Sequence, residues 1–437
     1  MDKVVIILAA GLGTRMKSAI PKVLHPLAGA PMLSHLVAAC KPVFDRIVVV
    51  TGPDMPNVAA AAAPHPVVVQ HERRGTADAA LAAAAQFGTG IVTIIYGDNP
   101  LLTSDTLARL GELLSPGTTG MSLLATRPTD PGTFGRIVGS GGFATRIVEY
   151  ADASEQERTI DLCNAGGFTA RADDMRRWLQ QIGNANTKGE YYLTDIVHVA
   201  NAEGSQIATV EAPWDECRGV NSRAELAVAE AVIQTRLRHA ALDAGVTMIA
   251  SETVFLSVDT TLAPDVTVEP HVIFGRGVSI AAGAVIRAFS HLEGCTIGAG
   301  AIIGPYARIR PGSVVDEAAH VGNFVELKAT HLGAGAKANH LTYLGDTTIG
   351  ARSNIGAGTI TCNYDGQSKH RTAIGSNVFV GSNVALVAPV SVGDGALIGA
   401  GSVITSAVEA GALAIGRARQ IDKPGGAARY KRTKDKS

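Results

Sequence analysis

Residues 296–328 read TIGAGAIIGPYARIRPGSVVDEAAHVGNFVELK, with an aliphatic residue at every sixth position: Ile297, Ile303, Ile309, Val315, Val321 and Leu327. An earlier run through Leu262, Val268, Phe274, Ile280 and Ile286 keeps the period, as does a later one through Ile374, Val380, Leu386, Val392, Ile398 and Ile404. Gly often follows the aliphatic residue, as at Gly298, Gly304, Gly350, Gly356 and Gly399. This is the hexapeptide repeat of a parallel β-helix. The aliphatic side chain points inward and stacks on its counterpart in the next coil, while Gly, Asn or Asp allows the tight corner. Three hexads make one triangular coil of the left-handed version. The frame slips before Ile297, which implies a one-residue irregularity. Residues 338–348 and 361–372 break the register and are expected to project as loops, where a rigid scaffold tends to carry its chemistry.

The first half has a different pattern. Short Val/Ile runs at 4–8, 47–50, 67–69 and 91–96 alternate with Ala/Leu-rich segments such as 31–39 and 77–86. That alternation predicts β-α units, with a largely parallel sheet covered by helices on both faces. Residues 221–245 contain no Gly or Pro before Gly245, which suits a helix C-cap, and so predict one connecting helix. The expected fold is an α/β, Rossmann-like doubly wound domain at 1–222, a helical linker at 223–247 and an all-β left-handed parallel β-helix at 248–437. A chain of 437 residues exceeds what one core ordinarily supports, so more than one domain is expected in any case.

A net charge of -1 with 18% charged residues gives no concentrated basic surface for nucleic acid or an anionic membrane. Small-molecule substrates are the expected partners. Five scattered cysteines without a CxxC signal neither a disulfide framework nor a zinc site. The apolar run at 4–10 is short and ends in Gly11, Gly13 and Arg15, and no stretch reaches the roughly 18 apolar residues of a membrane span. A cytoplasmic location is expected.

The opening strand leads into LAAGLGTRM at 8–16, then Pro21 and Lys22. Glycines after a strand let backbone amides approach a phosphate, and Arg15 and Lys22 add charge suited to a triphosphate. A Rossmann dinucleotide site competes, but Met16 stands where its third glycine belongs. Phosphoryl transfer relies on positioning and charge neutralisation, which gives Arg15 and Lys22 a catalytic role.

These residues resemble the signature of sugar-1-phosphate nucleotidyltransferases. The further matches YGD (96–98), GRI (135–137), IVE (147–149), Asn164, EYYLTD (190–195) and GVN (219–221) follow the order of the bifunctional family usually called GlmU, over nearly the whole chain. The resemblance implies that Leu8, Ala9, Ala10, Gly11, Gly13, Lys22, Gln70, Gly75, Thr76, Tyr96 and Gly97 hold the uridine nucleotide. It implies Asp98 and Asn221 as Mg²⁺ ligands, a sparse hard-oxygen set that suits this ion. Gly135, Glu149 and Asn164 would face the sugar, although alone Glu149 also reads as a strand-end charge and Asn164 as a turn former. The chain departs from the family pattern at Leu12, Arg73, Ala77 and Asp78.

Residues 338–346, ANHLTYLGD, place His340 among polar and aromatic neighbours. Acetyl transfer from a thioester to an amine needs a base, and a neutral imidazole suits it. Arg310, Lys328 and Lys369 lie nearby and suit a sugar phosphate, though alone each also reads as a solubilising charge. RPG (310–312), HVGNFVELK (320–328), NHLTYLGD (339–346) and NIGAGTITCNYDG (354–366) resemble the acetyltransferase half of the same family. The resemblance implies His340 as general base with Glu326 assisting it. Arg310, Lys328, Tyr343, Asn354 and Lys369 would bind glucosamine-1-phosphate, and Ala357, Asn363, Tyr364, Ser382, Ala400 and Arg417 acetyl-CoA.

The family analogy also implies a homotrimer supplying UDP-N-acetylglucosamine to bacterial envelope synthesis, with acetyl-CoA and UTP as co-substrates. The rival readings are a nucleotidyltransferase whose β-helix serves only assembly or regulation, and a non-catalytic sugar-nucleotide scaffold. Residues 429–436 read as a solvated basic end.

Overall fold

The computed structural model describes residues 2–114 and 119–434, which fall into two compact units, 1–236 and 237–437. In the first, a nine-stranded sheet contains β1 (Lys3–Leu8), β2 (Arg46–Thr51), β3 (Val67–Val69), β4 (Ile91–Tyr96), β5 (Thr119–Thr126), β6 (Arg136–Ser140), β7 (Phe143–Val148), β8 (Cys163–Arg171) and β9 (Gln206–Glu211). Their order is β3-β2-β1-β4-β8-β5-β9-β7-β6.

The strands foreseen from their Val/Ile runs, β1 to β4, are parallel to one another. Side chains alternate between faces, so Val4 and Ile6 enter one core while Val5 and Ile7 enter the other. Helix Thr76–Ala82 covers the first face and Met32–Cys40 the second. Beyond β4 the sheet departs from the largely parallel expectation. Strand β8 inserts antiparallel between β4 and β5, and β6 and β7 pair as a hairpin. Apolar patterning reveals which face of a strand is buried but not its direction, so the insertion left no mark in the sequence. The helix expected at 77–86 also ends early, at Ala82. A separate 3₁₀ turn, Ala84–Gln86, then brings Phe87 fully into the core.

Helix Arg223–Asp243 forms where one uninterrupted helix was expected. In the first unit its Ala229, Leu226, Val232 and Ile233 pack with Leu27, Met32, Leu101 and Val220. Its last turns belong to the second unit, where Leu237 and Ala241 pack against the coil core. The helix stops at Gly245, whose φ of 91° closes a terminal loop with Val246 N–H donating to the Ala241 carbonyl at 3.1 Å.

The second unit is the left-handed parallel β-helix that the hexads imply, with strands stacked on three faces. Down one face Ile303 pairs with Val321, eighteen positions on, as three hexads require. Ile280 pairs with Ile297, seventeen positions on, which is the irregularity seen in the sequence. Of the two expected loops only one projects. Ile349 pairs with Ile374, twenty-five positions on, so the extra residues leave the coil around Asn363 to His370.

Residues 338–348 do not form a loop. Strand Lys337–Gly345 pairs along its length with His320–Lys328, and both strands turn a corner at left-handed residues, Leu341 (φ 50°) and Phe324 (φ 55°). The broken register reflects coils one residue short, which tightens the corner without ejecting the chain. At the C-terminus, residues expected as a solvated end lie in a short helix, Gly426–Lys434, whereas residues 435 and 436 lie outside the described set.

Ile303 is fully buried within the β-helix core. Replacing it with Ala is expected to cost about 2–5 kcal/mol by lost burial and the cavity left behind. The measurement is a lower denaturation midpoint for the second unit, read by a probe placed there, with the first unit's transition unmoved.

Candidate active sites

In the first unit, β1 and β4 are adjacent parallel strands whose carboxyl ends open together, the position where such sheets bind ligands. Gly97 follows β4 and its N–H donates to the Leu8 carbonyl at 2.9 Å, and a side chain there would press within 2.8 Å of that oxygen. Gly13 is constrained twice: its φ of 64° disfavours L side chains, and an added Cβ would lie 2.6 Å from the Lys22 Cβ. The glycine loop therefore folds directly against Lys22.

Lys22 Nζ donates to Asp98 Oδ2 at 2.5 Å and to Asn221 Oδ1 at 2.9 Å. Asn221 reaches this place because the neighbouring Val220 N–H donates to the Asp98 carbonyl at 2.8 Å. A carboxylate and an amide oxygen thus converge on one cationic group. Two hard oxygen donors suit a Mg²⁺ ion whose remaining ligands are water and phosphate. Among the described residues there is no cluster of three or more His, Cys, Asp or Glu able to hold a metal.

A cavity of about 700 Å³ opens at this point. Twelve of the expected residues line it: Leu8, Ala9, Ala10, Gly11, Arg15, Lys22, Gln70, Gly75, Thr76, Tyr96, Asp98 and Glu149. Gly13, Gly97, Gly135, Asn164 and Asn221 are not among the lining residues. Gly135 lies where an added Cβ would sit 3.5 Å from Glu149 Oε1. Asn164 Oδ1 accepts from the Gly166 N–H at 3.0 Å, so that half of its amide serves its own turn.

Sequence reading missed Arg73, Thr133, Lys188 and Tyr192 on the wall. Lys188 and Tyr192 flank or belong to the EYYLTD segment, and that proximity was the available signal. This segment is held against the Gly75 turn, where Ala77 N–H donates to the Tyr191 carbonyl at 3.0 Å and Leu193 N–H to Thr76 Oγ1 at 2.9 Å.

The lining carries the cations Arg15 and Lys22, the latter paired with Asp98. Burial pushes the Glu149 carboxyl above the usual carboxylate range, partly offset by the Thr194 hydroxyl donating to it at 3.0 Å. Burial likewise raises Asp195 and the Tyr96 phenol.

In the second unit, the registered pairs Asn323↔His340 and Ala338↔Ile355 put His340 opposite Ala357 on the next coil. The Gly358 N–H donating to the His340 carbonyl at 3.3 Å agrees with that register. The same corner continues through Ser382 and Ala400, since Ile355 pairs with Val380 and Val380 with Ile398. Arg417 closes the column, its guanidinium donating to the Ala400 carbonyl at 2.7 Å. Thus the expected base and four expected acetyl-CoA residues lie along one edge of the prism.

His340 is exposed, and its Nδ1 lies 2.8 Å from Asn323 Oδ1. With that oxygen as acceptor, Nδ1 carries the proton and Nε2 is left as the basic nitrogen. Asn323 was not singled out in the sequence, and the expected assistant, Glu326, is held elsewhere. It lies beyond the bend at Phe324, opposite Tyr343, and accepts from the Arg310 guanidinium at 2.9 Å. A corner turns successive side chains onto different faces, which linear spacing does not show.

Charge gathers on the adjoining face. Lys328 Nζ donates to Asp346 at 3.1 Å, and Asn363 Nδ2 donates to the same carboxylate at 2.5 Å. Burial acts to raise Asp346, but these two partners outweigh it and hold the carboxyl below its usual value. Lys369 is pushed down by the ammonium of Lys328 beside it. Tyr343 and Asn363 come together over Gly345, where an added Cβ would lie 2.4 Å from the Tyr343 hydroxyl. Tyr364 is exposed on the projecting loop and bridges to Lys369. Asn354 pairs with Lys337 and Phe379 on another face.

Residues 5–160 match the MobA-like NTP transferase domain, and residues 371–406 match the bacterial transferase hexapeptide (six repeats). Similar proteins called Bifunctional protein GlmU extend over nearly the whole chain. The one from Acidiphilium cryptum is 69% identical and covers 100% of both chains. That from Gluconacetobacter diazotrophicus is 64% identical over 96% of this chain and 92% of its own. The Granulibacter bethesdensis protein is 61% identical over 98% and 96% respectively.

The raised Glu149 carboxyl has a consequence for stability. Between its ordinary value, about 4.3, and its folded value, the folded chain binds this proton more tightly than the unfolded chain. Stability contributed by the group therefore falls as pH rises through that window. Glu149→Gln is expected to raise the thermal midpoint of the first unit at pH 7 and to flatten its decline between pH 4 and 7. Parallel thermal melts of the two proteins across that range check it.

Proposed function

As a member of the bifunctional GlmU family, the protein is a glucosamine-1-phosphate N-acetyltransferase and N-acetylglucosamine-1-phosphate uridylyltransferase, and we propose that its two units divide the work as follows. Residues 248–437 carry acetyl transfer, residues 1–222 carry uridylyl transfer, and the helical segment 223–247 joins them. The observation that carries the division is that the glycine loop, Lys22 and Asp98 lie in the first unit while His340, Lys328 and Lys369 lie in the second.

In the second unit the reading places the sugar phosphate on Lys328, Lys369 and Arg310. Crowded ammonium groups favour a bound anion, as the depressed Lys369 indicates. Tyr343 completes the sugar subsite within this chain, whereas Asn354 stands on another face. Acetyl-CoA lies along the edge formed by Ala357, Ser382, Ala400 and Arg417, with Asn363 and Tyr364 beside it. The small residues leave room for its extended arm. His340 Nε2 takes the proton from the attacking amine while the thioester carbonyl accepts the new C–N bond and the CoA thiolate departs. Asn323 keeps Nδ1 protonated so that Nε2 remains the acceptor. Glu326 contributes by fixing Arg310.

In the first unit, Leu8, Ala9, Ala10, Gly11 and Gly13 present backbone to the triphosphate, and Gln70, Gly75 and Thr76 hold the uridine. Gly135, Glu149 and Asn164 frame the sugar, with Tyr96 and Gly97 beside it. Asp98 and Asn221 are the residues that would hold Mg²⁺. Such an ion supplies charge neutralisation at the phosphates. Arg15 and Lys22 bind and orient those phosphates. The sugar phosphate oxygen then attacks the α-phosphorus of UTP in line, and pyrophosphate leaves without a covalent enzyme intermediate.

The working form is proposed to be a homotrimer. In support, His271, Phe289, Tyr306 and Phe324 stack along one corner with ring centroids 4.9, 4.9 and 5.2 Å apart. Phe289, Tyr306 and Phe324 remain exposed in the single chain, an apolar stripe of the kind that protein contacts cover. Among the described residues no helix is long and apolar enough to cross a membrane, and a cytoplasmic location is part of the same proposal.

His340→Ala is expected to abolish acetyl transfer, by about 10²–10⁴-fold for the loss of a general base, with uridylyl transfer intact. Asp98→Ala should do the converse. Either substitution removing both activities from soluble, correctly assembled protein would sink the two-site reading. Asn323→Ala should lower acetyl-transfer kcat while leaving the KM for glucosamine-1-phosphate near that of the unmodified protein.

A further inference from the structure

Gln70 is buried, 4% exposed, and lines the nucleotide cavity. Its side-chain amide is fixed by two acceptors: Nε2 donates to the Gly75 carbonyl at 3.0 Å and to Asp78 Oδ2 at 2.8 Å. A primary amide has two N–H bonds, so both are used. The partners also settle which way round the amide sits, because a flipped amide would set Oε1 against two oxygens that cannot donate. What remains is Oε1, an acceptor on a residue of the cavity wall.

Asp78 is itself held in place. Its Oδ1 accepts from Arg74 Nη2 at 2.7 Å and Nε at 3.2 Å, and its side chain is 14% exposed while that of Arg74 is 58% exposed. The carboxylate therefore has one oxygen facing solvent-side arginine and the other facing the buried amide. This arrangement exists because Asp occupies position 78, one of the places where the sequence departs from the family pattern.

We propose that Asp78 is a positioning residue that locks Gln70 as an acceptor, making the pocket select a pyrimidine with N–H at ring position 3 over one with a lone pair there. The proposal rests on the reading that Gln70 meets the base. A uracil ring offers its N3–H to Oε1. A cytosine ring presents N3 as a second acceptor, and two buried acceptors facing each other stay unpaired, which disfavours CTP by about tenfold or more. Without Asp78 the amide keeps only the Gly75 carbonyl and can turn its N–H toward cytosine N3.

The experiment measures uridylyl-type transfer by the full-length chain with UTP or CTP, N-acetylglucosamine-1-phosphate and Mg²⁺. Asp78→Ala should raise the KM for UTP roughly tenfold with little change in kcat, and should narrow the preference for UTP over CTP by a similar factor. Asp78→Asn, whose amide oxygen can still accept from Gln70, should keep the preference although it loses the ion pair with Arg74. Asp78→Ser is too short to reach Nε2. It carries the same expectation as the alanine change and serves if that variant does not fold.

An unchanged UTP-to-CTP ratio in Asp78→Ala or Asp78→Ser overturns the lock. So does Asp78→Asn losing the ratio as fully as the alanine variant, because the ion pair would then be the cause. Gln70→Ala separates this from the reading beneath it: if that change leaves both the KM and the ratio unmoved, Gln70 does not meet the base. Acetyl transfer by the same preparations should remain as in the unmodified protein throughout.

Discussion

Each inward aliphatic side chain of the β-helix rests on its counterpart one coil away, and everything on the outside of the prism takes its place from that stacking. Ile297, Val315 and Leu332 follow one another down one face, and Ile303 and Val321 down another. Because interiors pack at nearly crystalline density, the coils cannot slide past each other by a residue without opening voids. The corners are therefore held in columns. His340, Ala357, Ser382, Ala400 and Arg417 are spread over 78 positions of sequence, yet they share an edge. An extended ligand arm needs such a straight run of small residues, and a base at its end needs the same edge.

The α/β unit solves a different problem with a comparable restraint. Its parallel strands are buried on both faces, so chemistry is possible only where they end. There the backbone makes long-range joins: Gly97 to Leu8 beneath the glycine loop, and Val220 to Asp98 beside the Lys22 ammonium. The second join brings Asn221 to Asp98 across more than a hundred residues. The wall of one cavity thereby carries the cations Arg15 and Lys22 together with a desolvated carboxyl at Glu149.

Much of this was legible from sequence because the relevant signals are periodic or local. The hexads, the four Val/Ile strands, the connecting helix and its Gly245 stop each depend on residues close together in the chain. The projecting loop near Asn363 was legible for the same reason, since it lengthens one coil. Residues 338–348 misled because a coil one residue short and a coil with an insertion both break a six-residue frame. Only pairing distinguishes them. Asn323 gave no signal for a related reason, since the bend at Phe324 sends residues two or three apart onto different faces.

By itself the sequence determined which side chains are buried, where each kind of repeat begins and which groups can do chemistry, because those properties follow from residue type and spacing. Tertiary structure alone decided the partners. It placed β8 antiparallel within the sheet, gave His340 the amide of Asn323 and gave Glu326 to Arg310. It also turned the Asp78 carboxylate onto Gln70. Hydrogen bonds are directional and act over about 3 Å, so their pairing depends on where the backbone carries each group in space, and periodicity encodes only the face from which a group departs.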